Sequence, residues 1–423
     1  MLLFLAAAIL AGIARRVGAP YPVFLALGGA ALAFIPGRPT LDIPPDVVLA
    51  LFVAPVLLDT AYDTSLRDLR ANVSAVAGLV LGAVGLTTVA VAIVVHGMVP
   101  DASWAVAVVL GAIVAPPDAV AATAVLRSLK PPQRLLTILE GESLLNDASA
   151  LLVYRVAVGA VVAQEFSIAA AAPAFLLGVA GSIIVGPILG WLVFQLLNRI
   201  RHVPTAIILQ FITTFAVWLF AEHFGLSGVL TTVCYAVTLA RHAPSRVPAR
   251  MRIPSAAVWD TAVFALSILA FIFIGLQLRP IVEVLEPDVR YTYFVTAGAV
   301  LATVIAARFA WHMPFNAWVR WRDDRQGFHP PRPMLEASAR SGLLISWAGM
   351  RGIVSLAAAM ALPGDFPYRD LILLTAFAVV VGTLVIQGLT LKPLMLALHL
   401  NDGDPVGSEI DDARRAALRA ALD

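Results

Sequence analysis

Between Arg134 and Ala163 an otherwise apolar run carries Glu140, Glu142, Ser143, Asn146, Asp147 and Arg155. Read as one helix, the run is ~45 Å long at ~1.5 Å per residue, enough to cross a bilayer. Ionisable groups in hydrocarbon cost roughly 3 kcal/mol each on insertion scales. They persist where they face protein, pair with one another, or line an ion path. Ser143 and Asp147 are four residues apart and share a helical face, as do Glu142 and Asn146. The chemistry open to such a stripe is the binding of a hard cation by oxygen ligands and the loading and unloading of a proton on a carboxylate.

Two further stretches place charge at the same depth. Residues 104–127 include A-P-P-D-A-V, with Asp118 behind Pro116 and Pro117, and residues 339–361 include W-A-G-M-R-G-I-V-S, with Arg351 between Gly349 and Gly352. Adjacent prolines remove backbone donors and push the preceding residue out of α geometry. Asp118, Asp147 and Arg351 fall ~21, ~20 and ~18 Å along their spans, all near the midplane. Interrupted helices with midplane charges are the best sequence pointer to a secondary-transporter site. Glu222 and Asp260 read as helix-terminal charges, and Arg308 as a residue that snorkels from the cytoplasmic end of its helix. Arg155 is expected either to pair with an acid such as Glu222 or to point to the outer surface.

Around these residues the chain is hydrophobic throughout. Of its 423 residues 60% are hydrophobic and 13% charged, and the mean hydropathy is +0.89. Soluble domains carry about twice that charge. The expectation is an all-α, multi-pass membrane protein with about thirteen spans. Basic residues concentrate in alternate loops: Arg15–Arg16, Arg67–Arg70, Arg127–Arg134, Arg199–Arg201, Arg241–Arg252 and Arg320–Arg340. The positive-inside rule puts those loops in the cytoplasm, the N-terminus outside and the C-terminus inside. The first apolar run, with Arg15 and Arg16 behind it, reads as a span and not a signal peptide. The broken spans stand seven apart, an odd offset that reverses orientation and so suggests two inverted repeats with crossing broken helices. The division is then scaffold helices in 1–61, transport helices in 72–163, a linker and scaffold helices in 172–278, transport helices in 289–398, and a short tail, 399–423, able to form one surface helix. A single cysteine, Cys234, excludes an internal disulfide, and no histidine pair suggests a metal centre. No cofactor and no nucleic-acid partner is expected.

G-E-S-L-L-N-D-A (Gly141–Ala148), A-P-P-D-A-V-A (Ala115–Ala121) and W-A-G-M-R-G-I-V-S-L-A (Trp347–Ala357) resemble the sodium/proton exchanger family of monovalent cation/proton antiporters, in the branch with an Asn-Asp pair in its sixth helix. The resemblance covers nearly the whole chain. It implies that Asp147 alternately binds cation and proton, that Ser143 helps ligate the ion, and that Asp118 is the acid of the unwound stretch. Asn146 beside Asp147 implies electroneutral one-for-one exchange. Glu142 and Arg351 match a buried ion pair, and Asp59 an acidic residue near the ion. Many relatives read Thr-Asp-Pro where this chain has Pro117-Asp118-Ala119, so a ligand from position 117 must be its backbone carbonyl. The resemblance further implies a homodimer in the plasma membrane that serves pH homeostasis, with Na⁺, Li⁺ or K⁺ exchanged for H⁺.

Other readings stay open on residues alone. A cation channel shares the midplane acids. Arg155 and Arg351 could bind an anionic solute. Gly225-Leu226-Ser227-Gly228 resembles a short intramembrane-protease string, although a serine packing a turn explains it as well. A transport-dead sensor could share the fold.

Overall fold

A computed structural model describes residues 9–10, 12–14, 16, 20–35, 45–63, 76–126, 131, 133–163, 168–326, 338–400, 414–415 and 419. Most of the first apolar segment, the loops bearing Arg67, Arg70, Arg127, Lys130 and Arg332, and nearly all of the tail lie outside these residues. Among the described residues the secondary structure is helical and no strand occurs. In chain order the helices are α1 (Tyr21–Leu32), α2 (Pro45–Asp63), a π-helical turn (Gly78–Ala83) running into α3 (Val84–Met98), α4 (Trp104–Val114), α5 (Ala119–Leu126) and α6 (Gln133–Ala163). There follow α7 (Ile168–Leu197), α8 (Val203–His223), α9 (Gly228–Arg246), α10 (Ala249–Leu276), α11 (Leu278–Val284), α12 (Pro287–Gln326), α13 (Ala339–Trp347), α14 (Ile353–Met360) and α15 (Arg369–Ala397).

Local sequence sets the ends. Ser103 caps α4 by accepting from the Val106 N–H, and Ser338 with Ser341 forms a reciprocal capping box at the start of α13. Gly225, at φ 69°, takes the left-handed turn that closes α8. Six helices among the described residues are long and apolar enough to cross a membrane. Leu177, Ile184, Ile208 and Tyr291 stand 60–80% exposed on outward faces of α7, α8 and α12. Large apolar side chains around the perimeter suit hydrocarbon, and the chain is a multi-pass membrane protein.

Two expected boundaries move, with consequences for the site. The apolar run ending at residue 312 continues as helix through Pro314 to Gln326, with Arg320, Arg322, Arg325 and Gln326 among the good helix formers of the extension. Arg308 therefore lies ~32 Å into a 40-residue helix and not near its end. Likewise α10 begins at Ala249, seven residues before its apolar segment, which puts Asp260 ~16 Å inside.

Packing joins α3, α4, α6, α12, α14 and α15 around one large apolar core that also takes in α1 and α10. A second core lies among α2, α7, α8, α9 and α10. The contact of α1 with α10 depends on glycine. A Cβ on Gly275 would strike the backbone of Ala26, Gly29 and Ala30, and one on Gly29 would strike the Ile272 carbonyl. Small residues let membrane helices approach this closely. Gly275→Ala is expected to lower stability by about 1–3 kcal/mol, read as accelerated thermal inactivation in detergent. Gly159→Ala on α6, where a Cβ meets open space, serves as the control and should be neutral.

Candidate functional site

The site begins with two broken helices. Pro116 and Pro117 end helical geometry after Val114, and the chain resumes as α5 at Ala119. Gly349 to Gly352 similarly separates α13 from α14. The breaks lie against each other, since the Asp118 amide donates to the Met350 carbonyl at 2.7 Å. Each half-helix leaves unpaired backbone groups at its end, and each set is met by a charge. Arg351, 1% exposed, donates from Nε to Val114 O at 3.0 Å, from a terminal nitrogen to Ala115 O at 3.2 Å, and to the Gly349 carbonyl. Its cation thus sits at the C-terminal, partially negative ends of α4 and α13. The Asp118 carboxylate accepts from the Val120 N–H at 2.8 Å and lies against Gly352, at the partially positive start of α14. Gly352 is required here because a Cβ would overlap that carboxylate.

Helix α6 is unbroken and divides its polar residues between two faces. Glu140, Ser143 and Asp147 face a cavity of about 520 Å³. Glu142 and Asn146 lie on the adjoining face, outside the cavity lining, and are 1% and 0% exposed. The Asn146 amide donates to Pro117 O at 3.4 Å, which ties α6 to the break. Its Oδ1 has no hydrogen-bond partner among the described residues. Asp147 is 7% exposed, and among the described residues no hydrogen bond reaches its carboxylate. The cavity is also lined by Asp59, Thr60, Asp118, Thr123, Asp260 and Ser267. Among the described residues five carboxylates and no Lys or Arg face it. A cluster of that sign attracts cations and repels anions.

The expected pairing of Glu142 with Arg351 is corrected. Glu142 forms a bidentate pair with Arg308, at 2.7 and 2.9 Å, with both side chains 2% exposed. Arg308 also donates to Ile345 O, near the end of α13, at 3.2 and 3.3 Å. Arg351 has its guanidinium occupied by the carbonyls of the breaks, leaving Glu142 to the other arginine. His312, one turn after Arg308, places Nε2 3.8 Å from the Glu142 carboxylate. Arg308 and His312 belong to the site's support; the sequence reading takes Arg308 as a snorkelling residue and leaves His312 unmarked. The signal was there, a charge within an apolar run, but the short segment estimate put Arg308 beside the membrane surface. Asp260 was misplaced for the same reason.

Arg155 lies apart from this cluster. It pairs with Glu222 at 2.5–2.6 Å and donates to Leu226 O at 3.1 Å, with side-chain exposures of 42% and 37% for the ion pair. Ser227 is the cap of α9: its hydroxyl accepts from the Leu230 N–H at 3.2 Å and its amide donates to Ser182. That role accounts for the short glycine-serine string without a nucleophile.

The π turn contributes as well. Widening the helix by one residue frees carbonyls, and these are taken from outside: Trp311 Nε1 donates to Gly78 O at 2.9 Å and Ser149, on α6, to Val80 O at 3.4 Å.

The family model described as "Sodium/hydrogen exchanger, transmembrane" matches residues 3–397. The chain belongs to the sodium/hydrogen exchanger family. Within it, the chain is 33% identical to an uncharacterised Na⁺/H⁺ exchanger of Mycobacterium tuberculosis, covering 96% of this chain and 75% of that protein. It is 29% identical to the sodium, potassium, lithium and rubidium/H⁺ antiporter of Bacillus subtilis, covering 95% of this chain and 61% of the relative. The structure of the sodium proton antiporter MjNhaP1 from Methanocaldococcus jannaschii superposes with a TM-score of 0.70 at 18% identity, covering 95% of this chain and 98% of the other. This family member therefore has the fold of that antiporter, and its relatives are transporters.

Proposed function

We propose that the chain is a secondary active antiporter that exchanges a monovalent cation, Na⁺ foremost with Li⁺ and K⁺ as alternatives, for H⁺ in electroneutral one-for-one exchange. The observation that carries the reading is the cavity beside the crossed breaks, lined among the described residues by five carboxylates and no cationic side chain, with Asp147 buried at its wall. Asp147 is the carboxylate that takes cation or proton in turn. Ser143, the Pro117 carbonyl, Asp118 and Asp59 complete the oxygen set with water. A cation on Asp147 and a proton on Asp147 exclude each other, because both need the same oxygens. An unloaded carboxylate is a buried, unpaired charge, and the cost of carrying it through the membrane disfavours movement while empty. That penalty couples the two fluxes. The carrier unit is 72–163 with 289–398, and the remaining helices, 1–61 and 172–278, are the scaffold through which two copies pair. Basic loops orient the chain in the plasma membrane with its N-terminus outside. The relatives named as Na⁺/H⁺ exchangers and antiporters support the same reading.

The test is proton movement in proteoliposomes carrying an imposed pH gradient. Na⁺ is expected to dissipate the gradient, while choline leaves it intact, and clamping the membrane voltage is expected to leave the rate unchanged. Cation flux indifferent to the proton gradient would assign a channel. No cation-driven proton movement from folded protein would end the antiporter reading.

A further inference from the structure

A second cavity, of about 480 Å³, lies among α2, α7, α8, α9 and the first turns of α10. It falls within the roughly 300–1,000 Å³ of ordinary small-molecule sites. Asp59, Ala256 and Asp260 form a wall common to this cavity and the acidic one. The α7–α8 turn and the start of α10 contribute Arg201, Arg250 and Arg252 to its lining. They make no ion pair among the described residues. They belong to basic loops that the charge distribution assigns to the cytoplasm. The body of the cavity is apolar, with Phe194 and Leu239 facing it. Its floor is fixed: Trp259 Nε1 and Ser255 Oγ both donate to Gln210 Oε1 at 2.8 Å, and the Trp259 ring stacks on Phe211 with centroids 4.0 Å apart. Asp59 and Asp260 belong to the wall shared with the acidic cavity, and Asp260 is about 12 Å along α10 from Arg252. A negative headgroup is therefore drawn to the arginines and kept from the acids.

We propose that this cavity binds an anionic phospholipid, its phosphate held by Arg201, Arg250 and Arg252 and an acyl chain lying along the apolar body. Basic pockets between transmembrane helices on the cytoplasmic side are suited to such headgroups, and guanidinium forks match phosphate oxygens. A lipid seated there touches the wall that carries Asp59 and Asp260, so its presence alters the acidic cavity as well as the stability of the scaffold. The ligand class rests on this cavity alone and not on the antiport reading.

The experiment compares the melting temperature of the purified full chain in detergent with added phosphatidylglycerol, phosphatidylcholine or inorganic phosphate. Phosphatidylglycerol is expected to shift the transition upward by mass action, and the other two are not. The triple variant Arg201→Gln, Arg250→Gln, Arg252→Gln is expected to lose the shift. A control variant with the same charge change in the tail, Arg414→Gln, Arg415→Gln, Arg419→Gln, is expected to keep it. Ala206→Phe, which fills the cavity and leaves the arginines in place, is expected to lose it too and guards against misfolding of the triple variant. An equal shift with phosphatidylcholine or phosphate, a shift retained in the triple variant, or one lost equally in the tail control would overturn the proposal.

Discussion

Asp147→Asn is expected to reduce cation-driven proton movement to the level of protein-free liposomes, while the variant is made and folds as the native chain does. Asparagine keeps the size and a carbonyl oxygen, so packing at this 7% exposed position changes little. It removes the negative charge that holds a cation and the carboxylate oxygens that this position cycles a proton on. Neither half of the exchange survives, and the effect is a loss and not a shift in apparent affinity. Asp147→Glu keeps the carboxylate on a longer stem and is expected to retain measurable exchange. The control substitutions are Asp59→Asn and Asp260→Asn in the same cavity. These lower the density of negative charge near the ion, so a higher cation concentration is needed for half-maximal rate, without abolishing exchange. Exchange at the native rate in Asp147→Asn, with Asp59→Asn inactive, would transfer the carrier role to Asp59.

Glu142→Ala or Arg308→Ala is expected to be the most damaging single change to the fold. Each leaves the other member as an unpaired charge at about 2% exposure. Breaking a buried pair from one side typically costs ~3–5 kcal/mol, whereas removing both charges together often costs far less. Glu142→Gln combined with Arg308→Gln should therefore recover much of the stability that either alanine variant loses. The measurement is the melting temperature in one detergent for all four proteins. A native-like transition in either alanine variant would show that the pair is not what holds α6 to α12. Arg351→Ala acts elsewhere. It leaves Glu142 paired and exposes the carbonyls of Val114 and Ala115, so its damage centres on the crossed breaks.

Most of the architecture was legible because membrane helices announce themselves by continuous apolarity, and because prolines and glycines mark where a helix cannot continue. The two breaks, the partly buried stripe on α6 and the placing of Asp118 and Arg351 within the breaks all followed from residue type, spacing and depth. Partner choice did not. Glu142 had two arginines within reach, and which one it took depended on what else each could satisfy. Arg351 faces the carbonyl-rich C-terminal ends of two half-helices and is consumed by them, a three-dimensional fact with no sequence period. Arg308 and Asp260 were misjudged because an apolar segment is a lower bound on its helix: polar residues with good helical propensity carried α12 and α10 well past the hydrophobic edge. The π turn at Gly78–Ala83 also left no mark in the pattern, since its freed carbonyls are claimed by Trp311 and Ser149 from remote helices.

The crossing of the breaks constrains the order in which this protein can be completed. The Val114 carbonyl waits for a donor 237 residues further along the chain. At ~5–20 residues per second of synthesis, the interval is roughly 10–50 s. Throughout it, the first broken helix is already made but lacks the cation that finishes it. Glu142 likewise waits through 166 residues for Arg308. The N-terminal half therefore enters the bilayer as an unfinished object. Its polar ends must stay near water or within the insertion machinery until the last third of the chain arrives.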